Sequence, residues 1–519
     1  MLARLATTTL VGLSAHPVGV EVDIGRGLPA ISVVGLGDTA VLQARDRVRA
    51  AFANAGFDWP DRRITISLPP ADLPKQGSGF DLPIAVGLLA AAGLVPASAI
   101  EGLWALGELG LGGDLRPVRG VLAAAIAARD GAARLLLVPS DNLHEAALVP
   151  GVTVAGTRSL RQVCEWLLGR AQLDAPGSSP PPSKPPAARL EDLADVRGQP
   201  VARRALEIAA AGGHNLLLVG SPGAGKTMLA RRLPGLLPEL DRDDALEVTM
   251  VASAAGLLRP DAPLASARPF RAPHHAISVA GLVGGGSRTP RPGEVSLAHH
   301  GALFLDELAE FPRAAREALR QPLEDGEVTI VRAGASVRFP ARFALIAAAN
   351  PCPCGYLGDD SRPCRCGAEE LRRYARRLSG PLLDRIDLYV HVERVSAEAL
   401  ADVSSGEPSA QVRERVLAAR AVQRARNGAV PGAGDGAENA HIPVAMLPEL
   451  CQLTAAGRKT LVAAVDRLGL TARAYHRALR VGRTIADLEA TDRVDDRHIG
   501  EALGLRHLPA TPDAEPGAA

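Results

Sequence analysis

Lysine is almost missing from this chain. Of its 58 basic side chains only four are lysines, at Lys75, Lys184, Lys226 and Lys459. Arginine has taken over wherever a generic positive charge suffices, so each lysine that remains carries information. Aromatic residues make up 3% of the 519 residues, and the net charge is only +1. So neutral a balance gives no bulk attraction to a polyanion, and any contact with nucleic acid requires local basic patches. No apolar run free of charge approaches the roughly 20 residues of a membrane-spanning helix, which predicts no membrane partner. The N-terminal stretch "MLARLATTTLVGLSAHPVGVEVDIG" lacks the continuous apolar core of a signal peptide and reads as two short strands, so a cytoplasmic location is expected. Six cysteines in so long a chain are too few for a disulfide framework. Four of them fall between positions 352 and 366, and such clustering points to metal or redox chemistry.

What is present is globular. Hydrophobic residues at 47% and charged ones at 22% fit a chain of two to four domains. Residues 171–189, "AQLDAPGSSPPPSKPPAAR", have no apolar periodicity and read as an extended linker. Before it, residues 1–170 alternate strand signals ("VGVEVDI", "RRITISL", "ARLLLVP") with helical ones, predicting an α/β domain. After it, residues 190–394 carry apolar parallel-type strands, "NLLLVG", "GALFLDELAE" and "RFALIAAAN". Residues 395–508 read as all-helical, and 509–519 as a disordered tail.

The second of these segments holds "GSPGAGKT", Gly220, Ser221, Pro222, Gly223, Ala224, Gly225, Lys226 and Thr227. It follows an apolar strand and opens a helix, the context a phosphate-binding P-loop requires. Glycines let backbone N–H groups wrap phosphates at a helix N-terminus, Lys226 reaches the β- and γ-phosphates, and Thr227 ligates Mg²⁺. The strand "ALFLDE" then ends in two acids, Asp306 for Mg²⁺ and Glu307 to polarise the attacking water. Asn350 ends the next apolar strand, where a neutral amide can orient that water or the γ-phosphate. In "LSGPLLDRIDLYV", Arg385 reads either as a surface ion-pair residue or as an arginine finger for a neighbouring subunit's nucleotide. Arg473, Arg477 and Arg480 lie on one helix face; of these, Arg473 is the one expected to contact the γ-phosphate. ATP and Mg²⁺ are therefore the expected cofactors.

In this order, with a helical end, the motifs resemble the AAA+ ATPases. "RPFRAPHHAIS", "NPCPCGY" and "RLSGPLLDRID" resemble more narrowly the magnesium-chelatase-like YifB/ComM family, as do "GVEVDIGRGLPAISVVGL" and "PPADLPKQGSGFDLPIAVGLLAA" near the N-terminus. The resemblance covers nearly the whole chain. It implies an S5-like, Lon-protease-like α/β N-terminal domain, an AAA+ core and a helical lid. It also implies a hexameric ring ATPase that remodels single-stranded or branched DNA, a branch-migration helicase in recombination. Residues 325–343 alternate like a hairpin and resemble the pore-lining pre-sensor hairpin of this clade, with Arg332 the natural phosphate contact. His274 and His275, in a Gly- and Arg-rich insertion, lack a carboxylate or cysteine at ligand spacing and read as loop residues that pack or touch phosphate.

The Lon-like resemblance does not bring a protease with it. Lon proteases pair a serine with a lysine. Here the serine position falls on Gly79, with Ser78 one residue early, and the lysine position falls near Leu122, while Lys75 is not at a position the dyad uses. Cys352, Cys354, Cys364 and Cys366 form C-x-C-x9-C-x-C, a set able to complete a tetrahedral structural Zn²⁺ site. Free or redox-active thiols and plain packing are the alternatives. Cys164 and Cys451 sit in apolar helical patterns as core residues. A motor subunit of a metal chelatase and a nucleotide-switched scaffold are the competing functional readings. A transcriptional activator is disfavoured because no "GAFTGA" loop occurs.

Overall fold

The computed structural model describes residues 1–177 and 191–506, apart from 260, 287–289, 333–334, 360, 379–381, 396–405 and 430–437. The fold is mixed α/β with a helical C-terminal region. The opening residues form the two expected strands, Leu2–Val11 and Ser14–Gly25. They pair antiparallel with Leu2 opposite Asp23 and Val11 opposite Ser14, and Gly12 takes the left-handed conformation (φ 67°) that so tight a turn demands. This hairpin is the middle of a seven-stranded sheet. Arg63–Ser67 and then Ala30–Val34 extend one side, and Leu103–Ala105, Leu135–Pro139 and Val154–Thr157 the other. Helix Asp81–Ala91 is buried at every position, which is why its sequence is apolar all round apart from Asp81, whose carboxylate pairs with Arg47.

Residues 171–177 depart from the expected linker. Asp174 pairs through its backbone with Gly156 and through its carboxylate with Ser140 and Arg158, so this stretch is an edge of the N-terminal unit. Leu173 packs on that unit's core, supplying apolar contact that the proline-rich remainder lacks. Residues 178–190 lie outside the described residues, as do 507–519 with the expected tail.

The second unit is built on five parallel strands. In chain order they are Leu216–Val219, Phe270–Arg271, Ala302–Leu305, Ala344–Ala349 and Leu388–His391, and they stand in the order second, third, fourth, first, fifth. The P-loop strand thus sits between the Asn350 strand and the last strand. All of its residues are buried, matching its uninterrupted apolar run. The C-terminal helices pack a small core of their own, with Leu447, Leu461, Ala486 and Ile499 in it, and also join the core of the sheet. Val412, Val416 and Ala419 of helix Ser409–Gly428, and Val481 and Ile485 of helix Ala472–Leu488, share one cluster with Leu216 and Leu218.

Helix Arg242–Ala255 ties the two units together. Its Leu246 and Met250 pack on the N-terminal cluster around Val121 and Leu122, and Ser253 donates to Glu145 at 2.5 Å. The expected hairpin is present as Glu327–Arg332 and Ala335–Pro340, paired antiparallel. The tip of the N-terminal hairpin rests on it, so that a Cβ at Gly12 would meet Val337 Cγ1 at 2.8 Å. Val331, beside the hairpin turn, is 69% exposed; the Arg332 side chain lies outside the described residues.

Candidate nucleotide site

Three parallel strands deliver three kinds of group to one edge of the sheet. The P-loop leaves Val219 and enters helix Lys226–Leu236, and Gly223 and Gly225 hold φ of 81° and 96° on the way. Lys226 is buried, and its amine donates to the carbonyls of Gly220 (2.6 Å) and Ser221 (3.0 Å) and to Asn350 Oδ1 (3.1 Å). Burial pushes its pKa down, while Asp306 and Glu307 act against that shift. Thr227 Oγ1 donates to Asp306 Oδ2 at 2.8 Å. A hydroxyl and a carboxylate in contact at the start of a helix are the hard oxygen pair that Mg²⁺ takes beside phosphates. The donor set fits a nucleotide with its magnesium.

Glu307 follows in the left-handed region (φ 53°), an uncommon conformation for a residue with a side chain. Its Oε2 lies 3.2 Å from His275 Nδ1. The sequence reading assigned His275 no carboxylate partner. The structure supplies one: it stands 32 positions away in sequence but just past the adjoining strand, because Phe270–Arg271 pairs with Ala302–Leu305. His274 stacks against His275 at 4.1 Å between ring centroids.

Arg385 and Arg473 do not join this edge. Arg385 stands three residues ahead of Leu388, the first residue of strand Leu388–His391, which runs parallel to the P-loop strand with Leu388 beside Leu216. The two ends of a four-residue strand are about 10 Å apart, so Arg385 and the P-loop occupy opposite ends of the sheet. Arg385 is buried and pairs with Glu324. Burial lowers its pKa, Glu324 offsets the effect, and Arg320 and Arg473 are near enough to lower it further. Arg473 is exposed at the start of helix Ala472–Leu488. Four residues on, Arg477 donates to Asp387 at 2.7 Å and fixes that helix to the same end of the sheet. The expectation that Arg473 contacts the γ-phosphate therefore does not hold within one chain. The helix is docked on the wrong end of its own sheet. Arg480, the third of the stripe, caps the Ile442 carbonyl instead.

The four clustered cysteines converge. Cys352 Sγ lies 3.4 Å from Cys354 Sγ and 3.7 Å from Cys364 Sγ, and Cys354 and Cys364 are 3.6 Å apart. All four ligand atoms, Cys366 included, lie within 4.8 Å of one another. These are not disulfides. A tetrahedron of Zn–S bonds of about 2.3 Å has S–S edges of about 3.8 Å, close to these spacings. Cys164 and Cys451 are buried in helices, as the sequence indicates. A second cluster, Glu247 with His299 and His300, is a different case. His299 Nδ1 accepts the Arg342 backbone N–H, so its Nε2 carries the proton donated to Glu247 and has no lone pair to offer a metal.

In the N-terminal unit, the backbone N–H of Leu122 donates to Glu145, Ser78 pairs with Glu108, and the buried amine of Lys75 binds the Pro70 carbonyl. These contacts contain no serine–lysine pair.

The sheet order and the P-loop with its acidic strand define a P-loop nucleotide-binding protein of the AAA+ class. Comparison with known proteins narrows this. The family model for "Magnesium chelatase, subunit ChlI" matches residues 192–400, that for "Subunit ChlI of Mg-chelatase" matches 20–142, and that for the ChlI C-terminal region matches 406–506. The competence protein ComM of Haemophilus influenzae is 44% identical over 516 residues, covering 98% of both chains. YifB of Escherichia coli is 43% identical over 509 residues, covering 98% of this chain and 97% of its own. The 38 kDa magnesium-chelatase subunit of Rhodobacter capsulatus is 29% identical over 152 residues, 26% of this chain and 43% of its own. The chain belongs to the magnesium-chelatase-like YifB/ComM family.

Proposed function

We propose that this protein is an ATP-hydrolysing motor that works as a hexameric ring on single-stranded or branched DNA, a branch-migration helicase in recombination. The observation that carries the ATPase reading is the meeting of Lys226, Thr227, Asp306 and Asn350 at one sheet edge, with Glu307 beside them. In this reading Gly220 to Gly225 wrap the phosphates, Lys226 neutralises them and Thr227 and Asp306 hold magnesium. Bound there, the magnesium ion supplies the positive charge that the β- and γ-phosphates require. Glu307 orients and deprotonates the attacking water with Asn350 beside it, and His275 holds Glu307 in place. Arg385 and Arg473, at the far end of the sheet, serve the nucleotide of the next subunit, which is why the ring is part of the proposal.

The DNA reading is supported by the exposed hairpin at Val331 and by the extent of likeness to a protein named for competence. In this division of labour residues 1–170 form an inactive protease-like domain that braces the hairpin. Residues 190–394 form the motor, 395–508 the lid, and Cys352, Cys354, Cys364 and Cys366 hold structural Zn²⁺, all within the cytoplasm. The second reading, a motor subunit of a metal-chelatase-like complex, draws on the family models. ATP turnover by the purified protein alone, with single strands, duplex and a branched junction decides between them. Stimulation by branched or single-stranded DNA, absent in Lys226→Ala, is expected; turnover indifferent to every DNA would overturn the helicase reading.

A further inference from the structure

The cysteine segment leans on the nucleotide site. Asn350 faces two ways, its Oδ1 accepting from Lys226 and its backbone carbonyl accepting from the Tyr374 hydroxyl at 2.9 Å. Two residues later Cys352 is fully buried. Between Cys354 and Cys364 the chain turns back onto the P-loop. Gly355 has φ 86°, and a Cβ there would fall 2.6 Å from Pro222 Cδ, so backbone conformation and contact both demand glycine. Its N–H donates to the Cys352 carbonyl at 3.0 Å, which locks that contact to the first cysteine pair.

Farther round the turn, Asp359 Oδ1 accepts the Ser361 backbone N–H at 2.8 Å. Ser361 first, and then the P-loop hydroxyl of Ser221, hold the Asp359 carboxyl below its usual range. Its Oδ2 is buried and has no hydrogen-bond partner among the described residues. Ser361 in turn accepts from Arg394, just beyond the last strand, at 2.6 Å. One short turn therefore packs on Pro222 of the P-loop, with Asp359 near enough to Ser221 to feel its hydroxyl, and both of its ends are cysteine pairs. Its own sequence, "GYLGDDSRP", offers few apolar side chains to hold it there. Four metal–thiolate bonds would supply that hold, as in small domains that fold only around their metal.

We infer that a Zn²⁺ ion on Cys352, Cys354, Cys364 and Cys366 clamps residues 355–359 against the P-loop at Pro222 and fixes Asn350 beside Lys226, so that zinc and nucleotide binding are thermodynamically linked. The inference rests on the zinc reading proposed above. Linkage is reciprocal: whatever factor zinc adds to nucleotide affinity, nucleotide adds to zinc affinity.

The test uses the full chain, reduced, stripped of metal by a chelator and reloaded with zinc chloride. Metal content is read by atomic emission, and the Kd of a fluorescent non-hydrolysable ATP analogue by titration. One zinc per chain is expected, with nucleotide Kd rising about fivefold or more on stripping. Zinc competition against a chromophoric chelator should shift by the same factor when nucleotide saturates. Asp359→Ala, measured only in the metal-loaded state, covers the case in which stripping unfolds the protein; it should keep one zinc per chain and bind nucleotide more weakly. Failure to take up zinc overturns the metal reading. One zinc per chain with equal nucleotide affinity, either loaded against stripped or native against Asp359→Ala, overturns the linkage and leaves the metal site standing.

Discussion

Asp387 is where the docking of the helical end on the nucleotide core is most exposed to a single substitution. It lies between the P-loop strand, the last strand and the lid helix. Its Oδ1 accepts from Arg477 at 2.7 Å, its Oδ2 accepts the Asn215 backbone N–H at 3.0 Å, and His214 Nδ1 stands 3.7 Å from Oδ2. Burial alone would raise its carboxyl; His214, Arg477 and Asn215 outweigh that and hold its pKa far below the usual range. Asp387→Ala leaves a guanidinium that is only 16% exposed without its carboxylate and removes the acceptor of a part-buried amide. Breaking one side of a buried pair costs about 3–5 kcal/mol. Because Arg477 retains some solvent, we take the lower end, about 3 kcal/mol.

For a unit running from 191 to 506 the unfolding entropy makes ~1 kcal/mol worth about 1.5 °C, so the core–lid transition should fall by about 4–5 °C in calorimetry of the full chain. Hydrogen exchange should quicken at residues 214–219 and 472–488 together. The pH dependence has a definite sign. A carboxyl whose pKa is depressed by folding contributes fully above its unfolded value of about 4, and the contribution fades as pH falls below that toward the folded value. The gap between native and Asp387→Ala should therefore be widest at neutral pH and close in acid. A midpoint shift below about 2 °C at pH 7, or a gap that widens on acidification, would refute the reasoning.

Two further predictions concern turnover. Glu307→Gln should bind ATP near normally and lose about 10²–10⁴ in kcat, with His275→Ala losing less and chiefly in kcat rather than KM; a His275→Ala enzyme with native kcat would deny that residue a positioning role. Lys226→Ala and Arg385→Ala should each be inactive alone yet regain measurable ATP hydrolysis when mixed, because in the proposed ring a mixed assembly would contain sites with both residues intact. No recovery on mixing, with oligomers confirmed by light scattering, would remove Arg385 from the shared site.

Local chemistry made much of this protein legible from the chain alone. A P-loop needs glycines, a lysine and a hydroxyl at fixed spacing, so "GSPGAGKT" announces itself, and the apolar runs before Gly220, Asp306 and Asn350 read as buried strands because parallel strands have no polar face. The hairpin over 325–343 and the cysteine cluster were visible for the same reason, since both depend on residues close together in sequence. Tertiary structure decided what depends on which strand lies beside which. It brought His275 to Glu307 across adjoining strands, and it set Arg385 and Arg473 at the end of the sheet away from their own P-loop. It also folded the cysteine turn onto Pro222, and it joined residues 171–177 to the N-terminal sheet through Asp174. Spacing along a chain fixes neighbours within a turn or two; contacts across a sheet follow from strand order, which no local pattern encodes.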